Sequence, residues 1–256
     1  MRAHCQCLQR VLRVVPIPGL WVLALFLHPA IAQNPPALAD LLKKVSEKRG
    51  NLQQYKFTAT VSFHDPEEGL DVSGSTIVAV QKPSKARWEI RGTIAQYFTG
   101  ANLDIQYIVD GKNVWTYVPK LNQYTKEQAP IDTATGSKVG SEMISHLEEI
   151  FLFRDFVRAA DHAKVVREER IPFNGSTADC LVLEFRDGPI DIHRWWIDRE
   201  SYLVLRDEEE SKEDPKAAYY SLSIRLTTIQ INGPVDQEVF VFSPPAGARL
   251  VDKINP

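Results

Sequence analysis

Apolar and polar positions along this chain follow two periods. Over PPALADLLKKVSEKRGNL, Leu38, Leu41, Leu42 and Val45 recur three or four apart, behind two prolines and ahead of Gly50. That spacing predicts an amphipathic helix near residues 37 to 48, with its own start and stop signals. From Tyr55 the period falls to two: Tyr55, Phe57, Ala59, Val61 and Phe63 alternate with Lys56, Thr58, Thr60 and Ser62, as a half-buried strand requires. GSTIVAVQKPSKARWEI reads as two further strands joined at Lys82-Pro83-Ser84, because proline removes a ladder donor. Asp110-Gly111, between IQYIV and KNVWTYV, signals a two-residue hairpin in which Tyr107 faces Val114 and Gln106 faces Trp115. Helical spacing returns in SEMISHLEEIFLFRDFVRAA, where Met143, Leu147, Ile150 and Phe151, with Phe153 and Phe156 close to the pattern, predict a second helix near 141 to 159. AKVVREERIPF and TADCLVLEFRD flank Asn174-Gly175 as a second hairpin, and IDIHRWWID with SYLVLRDEEE makes a third pair. RDEEESKEDPK reads as a solvated hairpin loop. YSLSIRLTTIQI is a last long strand, and VFVFSPPAGARLVD a tail.

Nine to eleven strands in antiparallel meander order, with two helices, define a mainly β (α+β) fold built on one large antiparallel sheet. A sheet of that size curls toward a barrel, and helices can cap its concave side. Such a shape can hold an apolar ligand.

The two ends of the chain refine this picture. Arg2, Arg10 and Arg13 precede the apolar run GLWVLALFL, and Ala30-Ile31-Ala32 supplies small residues at a cleavage position. Residues 1–32 therefore read as a cleaved export signal, and residues 33–256 as a single domain, exported and soluble. The run is shorter than the roughly 20 residues of a membrane-spanning helix, which makes a retained anchor the lesser alternative. Gln33 stands where a lipid-modified terminus would need cysteine. Cleavage removes Cys5 and Cys7, leaving Cys180 and no intrachain disulfide. It also removes three arginines and no acid, taking the formal charge from −3 to −6, a surface unsuited to nucleic acid.

Catalytic and cofactor signatures are missing from the sequence: it holds no GxSxG, HExxH, GxxxxGK[ST], GxGxxG or CxxC, so neither an enzyme, a metal site nor a cofactor is expected. Asp191, His193 and Trp195 alternate on one strand face, which reads as the polar outer face of a strand. Glu148 and Glu149, about 100° apart on a helix, read as a solvated edge. Cys180, between alternating apolar residues, reads as a small core hydrophobe. Asn174-Gly175-Ser176 matches a glycosylation acceptor, although the turn alone accounts for it. Trp88, Trp115, Trp195, Trp196 and the phenylalanines of the second helix can fill core singly or line a cavity together.

Four segments carry a resemblance: VDGKNVWTYVPKLNQYTK, LLKKVSEKRGNLQQYKFTATV, QKPSKARWEI and FVFSPPAGARLVD. In order and spacing they resemble the LolA-like periplasmic lipoprotein carriers, over nearly the whole chain beyond the signal. The pair DGK-x-x-W and F-x-F-x-PP-x-G is the most specific part, and RWWIDRESYLVLR resembles a strand pair common in LolA-like and related regulator proteins. The resemblance implies an unclosed β-barrel whose helix-capped cavity takes the acyl chains of lipoproteins in transit from the inner to the outer membrane. It further implies a monomer that meets an inner-membrane release complex and an outer-membrane acceptor lipoprotein. On this reading the cavity residues are Leu41, Leu42, Val45, Trp88, Trp115, Tyr117, Phe151, Phe153 and Phe156. The family usually has an arginine before the proline at Lys82-Pro83, where it helps control closed and open states. Lys82, which lacks the planar five-donor fork, is the corresponding gating candidate, able to bond carbonyls of the lid helix, and the alternative is a solvated lysine at a turn. An RseB-like sensor of lipidated or misfolded proteins and a secreted hydrolase without a recognisable motif are the alternatives.

Overall fold

The computed structural model of the protein describes residues 38–96, 99–129, 144, 148, 163–187, 191–211 and 220–254. They belong to the unit Pro35–Pro256; the export signal expected at residues 1–32 falls in Met1–Asn34, outside the described residues. Helix α1 (Leu38–Gly50) is followed by strands β1 (Gln54–Asp65), β2 (Leu70–Gln81), β3 (Lys85–Gln96), β4 (Thr99–Asp110), β5 (Asn113–Val118) and β6 (Gln123–Gln128). A second series comprises β7 (Lys164–Phe173), β8 (Ser176–Asp187), β9 (Asp191–Asp198), β10 (Val204–Ser211), β11 (Tyr220–Ile231) and β12 (Arg249–Leu250). All twelve form one sheet in the order β12-β6-β5-β4-β3-β2-β1-β11-β10-β9-β8-β7. The strand beyond the expected eleven is β12, two residues pairing in parallel with β6 and too short to leave a period in the sequence.

The sheet curls without closing. Asn174 in the β7–β8 turn accepts a hydrogen bond from the Ile229 N–H and donates one to the Ile229 carbonyl, so this end of the sheet bends back onto β11 while β7 and β12 remain the edges. Asn174 and Gly175 have φ of 49° and 74°, both left-handed, which is the turn chemistry expected from Asn-Gly. The other hairpin departs from expectation: Val109 pairs with Val114, Tyr107 with Thr116 and Gln106 with Tyr117. Asp110 is the cause. Its Oδ1 accepts the Lys112 and Asn113 N–H groups at 2.7 Å each, which moves the turn one residue along to Gly111-Lys112. The pairing shifts by two, so every side chain keeps its face.

The concave face holds the main core. Tyr55, Phe57 and Ala59 of β1, Val78 and Val80 of β2, Leu181 and Leu183 of β8 and Leu226 of β11 pack with Leu41, Leu42 and Val45 of α1. Full burial of each of those α1 side chains contributes about 1.5–3 kcal/mol. Lys44 Nζ donates to the Tyr202 hydroxyl at 3.1 Å, tying the helix to the turn between β9 and β10. On the convex face, Cys180, Val182, Trp196 and Leu205 form a second cluster, and Ala79, Val235 and Phe240 a third. Burial pushes the Cys180 thiol up to about 12, as suits an inert core residue. Ile144 and Glu148 are helical, while the remainder of the helix expected at 141–159 lies outside the described residues.

Two polar stretches are placed differently from the expectation. The first part of the acidic run, Arg206 to Ser211, is strand rather than solvated loop; residues 212–216 lie outside the described residues. Strand alternation sends Asp207 and Glu209 to the concave face and Arg206, Glu208 and Glu210 to the convex one, where Arg194 Nη1 lies 3.2 Å from Glu210 Oε2. Asp191, His193 and Trp195 belong to the inner face, not the outer: Trp195 is buried, and His193 stacks on Phe185 with ring centroids 4.8 Å apart.

Candidate functional site

Between β1, β2, β3 and β11 the concave face opens into a pocket of about 240 Å³. Val61, Val72, Trp88, Ile90, Leu222 and Ile224 give it an apolar wall, with Gly74 and Gly92 at its floor. The two glycines are directly opposite one another on β2 and β3. A Cβ at Gly92 would stand 2.3 Å from the Ser73 carbonyl oxygen, and one at Gly74 would stand 2.6 Å from the Arg91 carbonyl oxygen. Only glycine permits so close an approach of two backbones, and the missing side chains deepen the pocket. Two of its polar side chains, Trp88 and Thr76, are satisfied internally. The Trp88 indole N–H donates to Thr76 Oγ1 at 2.8 Å, and that hydroxyl donates to the Glu89 carbonyl at 2.8 Å. What remains is a surface that can hold hydrocarbon and offers little to a polar ligand.

Of the residues expected at a cavity, Trp88 lines this pocket. Leu41, Leu42 and Val45 lie on the same side of the sheet but are packed into the core rather than open to the pocket. Trp115 and Tyr117 stand on the opposite face. Phe242 from the C-terminal segment covers them at centroid distances of 5.2 Å and 5.9 Å, and the Trp115 indole N–H donates to Asp110 Oδ2 at 3.1 Å. The strand alternation that put Val114 inward put these two outward, so they pack structure on the convex side and are not cavity residues. Phe151, Phe153 and Phe156 lie outside the described residues.

Lys82 occupies the turn between β2 and β3, beside a cis bond to Pro83. Its Nζ is 2.7 Å from Glu148 Oε1, with the lysine side chain 24% exposed and the glutamate 13%. The Tyr55 hydroxyl donates to the same oxygen at 3.1 Å. Burial, reinforced by the Glu148 charge, raises the Tyr55 phenol far above its ordinary range. Glu148 is therefore no solvated edge: it ties its point of the chain to the sheet, while Glu149 lies outside the described residues. The lysine partner is a carboxylate, where a lid carbonyl was expected. An ammonium can match a single carboxylate oxygen as a point charge, a geometry that needs no guanidinium fork.

Gly74, Gly92 and Glu148 were not singled out as functional from the sequence. Isolated glycines inside GLDVSGSTIVAV and EIRGTIAQ were the available signal, since a glycine in a strand interior marks close backbone approach. Glu148 had none, because its partners Lys82 and Tyr55 are distant in sequence.

A curated outer-membrane lipoprotein carrier protein from Halorhodospira halophila is 24% identical over 231 residues, 90% of this chain and 91% of that protein. Another of the same name, from Methylobacillus flagellatus, is 24% identical over 205 residues, 77% of this chain and 84% of that protein. These relatives agree with the LolA-like resemblance. Among solved structures, LprF from Mycobacterium bovis aligns with a TM-score of 0.46 at 12% identity, covering 84% of this chain and 98% of that one. MucB aligns with 0.43 at 14% identity, covering 81% of this chain and 63% of that one. Residues 39–253 match the family model described as predicted periplasmic protein (DUF2092), and the chain belongs to that periplasmic family.

Proposed function

We propose that this protein is a periplasmic carrier that holds the acyl chains of lipoproteins against its concave face and ferries them from the inner to the outer membrane. The observation that carries the reading is the pocket at Trp88: an almost wholly apolar hollow of about 240 Å³ on the inner face of a curled sheet, its floor opened by two glycines. The names of the curated relatives support it. A binding role rather than catalysis is part of the proposal, as are a monomeric state and exchange with an inner-membrane release complex and an outer-membrane acceptor. Lys82, Glu148 and Tyr55 form the latch in this reading. With the latch made, Glu148 is held to the sheet; with it broken, Glu148 is released and cargo can be admitted or let go.

A fatty-acyl fluorophore titrated into delipidated protein tests the proposal. Saturable binding at micromolar Kd or tighter is expected, equivalent to about −8 kcal/mol or better, with clear weakening in Trp88→Ala. Absence of saturable binding to delipidated protein would end the carrier reading. Transfer of a labelled lipoprotein to an acceptor, compared among the wild type, Lys82→Arg and Lys82→Leu, tests the latch separately. Equal binding and transfer in all three would place control of the cavity elsewhere.

A further inference from the structure

Strand β11 changes neighbours along its length. Up to Arg225 it runs between β1 and β10, and Arg206 is the β10 residue opposite Arg225. There β10 turns away, through the irregularity between Val204 and Arg206, while β1 stays paired as far as Ile231. The last stretch of β11 therefore has a strand on one side only. Which main-chain groups face the other side follows from the ladder. The Asn232 N–H donates to the Gln54 carbonyl at 2.6 Å, and successive residues of an antiparallel strand turn their N–H and C=O to alternate sides. Thr228, Gln230 and Asn232 thus face β1, while Ile229 and Ile231 face away.

Ile229 shows what that free side accepts. The Asn174 side chain takes the Ile229 N–H at 2.9 Å through Oδ1 and donates its own N–H to the Ile229 carbonyl at 3.3 Å. One carboxamide makes the two bonds that a paired strand residue would make. Two residues on, Ile231 directs the same donor and acceptor toward a cavity of about 810 Å³ that it helps to line, and no group among the described residues is bonded to them. Ile229, Ile231, Phe173 and Leu203 give this cavity its apolar surface. Its charges do not select an ion: Asp179 is held by Arg170 at 2.6 Å and Arg199 by Glu168 at 2.8 Å, while Lys48 and Glu200 are of opposite sign. The ligand that matches is neutral, apolar on one side, and carries an N–H and a C=O spaced as in a main chain.

We infer that this cavity docks an extended segment of another protein, which adds to the β11 edge by pairing one residue with Ile231 and seats an apolar side chain against Phe173 and Leu203. A hydrocarbon chain would cover the Ile231 N–H and C=O without bonding them, which costs free energy that a peptide does not incur. Ile231 lies roughly 20 Å along β11 from Ile224 of the apolar pocket, at the rise of a strand. The docking site is therefore separate from that pocket and does not rest on the carrier reading.

The test uses a fluorescein-labelled peptide, Thr-Val-Thr-Val-Thr with both ends capped, whose β-branched residues favour the extended form. Fluorescence anisotropy should show saturable binding to the wild type with Kd of about 0.1 mM or tighter. A counterpart N-methylated at every amide keeps the side chains and loses the donors, and should bind at least about tenfold more weakly. Ile231→Pro removes the edge N–H at a place where a strand edge tolerates the ring, and should lower peptide affinity at least about tenfold while the circular dichroism melt is retained. Ile231→Val should bind as the wild type does. No saturable binding, equal binding of the two peptides, or undiminished binding by a folded Ile231→Pro overturns the inference. The comparison of the two peptides needs no variant, so it decides the matter even where the proline variant does not fold. A wild type that binds the peptide in this way but no fatty-acyl fluorophore upholds the inference and ends the carrier reading alone.

Discussion

Gly92→Ala puts the pocket floor to a quantitative test. The added Cβ would lie 2.3 Å from the Ser73 carbonyl oxygen and 2.7 Å from the Gly74 Cα, both main-chain atoms that no rotamer change can move away. Carbon contacts are comfortable at about 3.5–4.0 Å, so β2 and β3 must part locally. Overpacking of this kind costs about 1–3 kcal/mol. In a domain of this size each kcal/mol is worth about 2–4 °C, so Tm should fall by about 2–12 °C. Replacing glycine also restricts the unfolded chain, which favours the folded state by about 0.4–1 kcal/mol. Gly50→Ala, where a Cβ meets nothing within 4 Å, measures that contribution at a helix end and should be neutral or slightly stabilising. Thermal unfolding followed by circular dichroism gives both values, and the acyl-probe titration should show weaker binding for Gly92→Ala as the floor is displaced. If Gly92→Ala melts together with Gly50→Ala, the close approach of the two strands is not a feature of the folded protein and the account of the pocket floor fails.

A double-mutant cycle of Lys82→Met and Glu148→Gln, read by urea unfolding, should give a coupling of about 1–3 kcal/mol, because each single change strands a partner that is mostly out of solvent; additive effects would refute the latch geometry. Asp207 should make stability fall as pH rises from about 4 to about 7, since the native state retains a proton that the unfolded state has released. Asp207→Asn should therefore unfold at higher urea than the wild type at pH 8 and lose that advantage near pH 4, and the reverse order would contradict the burial of the carboxyl. Asp110 has the opposite sign. Burial would raise it, but the Asn113 main-chain and side-chain N–H groups, the Trp115 indole and the Lys112 N–H hold it down to about 2. Its contribution, about 1 kcal/mol after solvent screening, is present above about pH 4 and lost as pH falls through about 2. Asp110→Ala should match the wild type in acid and be less stable at pH 7; a constant difference across that range would remove the carboxylate from the explanation.

The sheet was legible wherever one face is buried, because burial writes a period of two into the chain. Tyr55 to Phe63 and the Asn174-Gly175 hairpin needed nothing more than alternation and turn chemistry. Irregularities in pairing were not legible. The shift between Val204 and Arg206 in β10 breaks the alternation just before Asp207, so an inward-facing strand segment looked like a solvated charge run. Register in the Asp110 hairpin depended on which N–H groups the carboxylate chose. The facing of Trp115 and Tyr117 could have been read from Val114, but aromatic content alone suggested a cavity; their partner, Phe242, is more than a hundred residues away. Glu148 illustrates the same limit, since a buried charge is recognised by its partners and both of its own are distant in sequence.

The pairing of β1 with β11 bears on how the chain assembles. Apart from the short β12 contact and this seam, every strand neighbour in the sheet is also a neighbour in sequence. Two hairpin ladders, β1–β6 and β7–β11, can thus form from local contacts, whereas the seam joins Tyr55 to Ile231 across most of the domain. Closing so long a loop is slow, which makes the seam the expected late step of folding. Until then the twelve-residue β1 presents an unsatisfied main-chain edge backed by Tyr55 and Phe57, the kind of edge onto which a second copy can add. A chain delivered N-terminus first exposes that edge from the moment its first ladder forms until β11, nearly the last strand, arrives. The yield of folded protein is therefore expected to depend on local concentration during delivery, and to improve when β11 is supplied early, as in a circular permutant that places it directly ahead of β1.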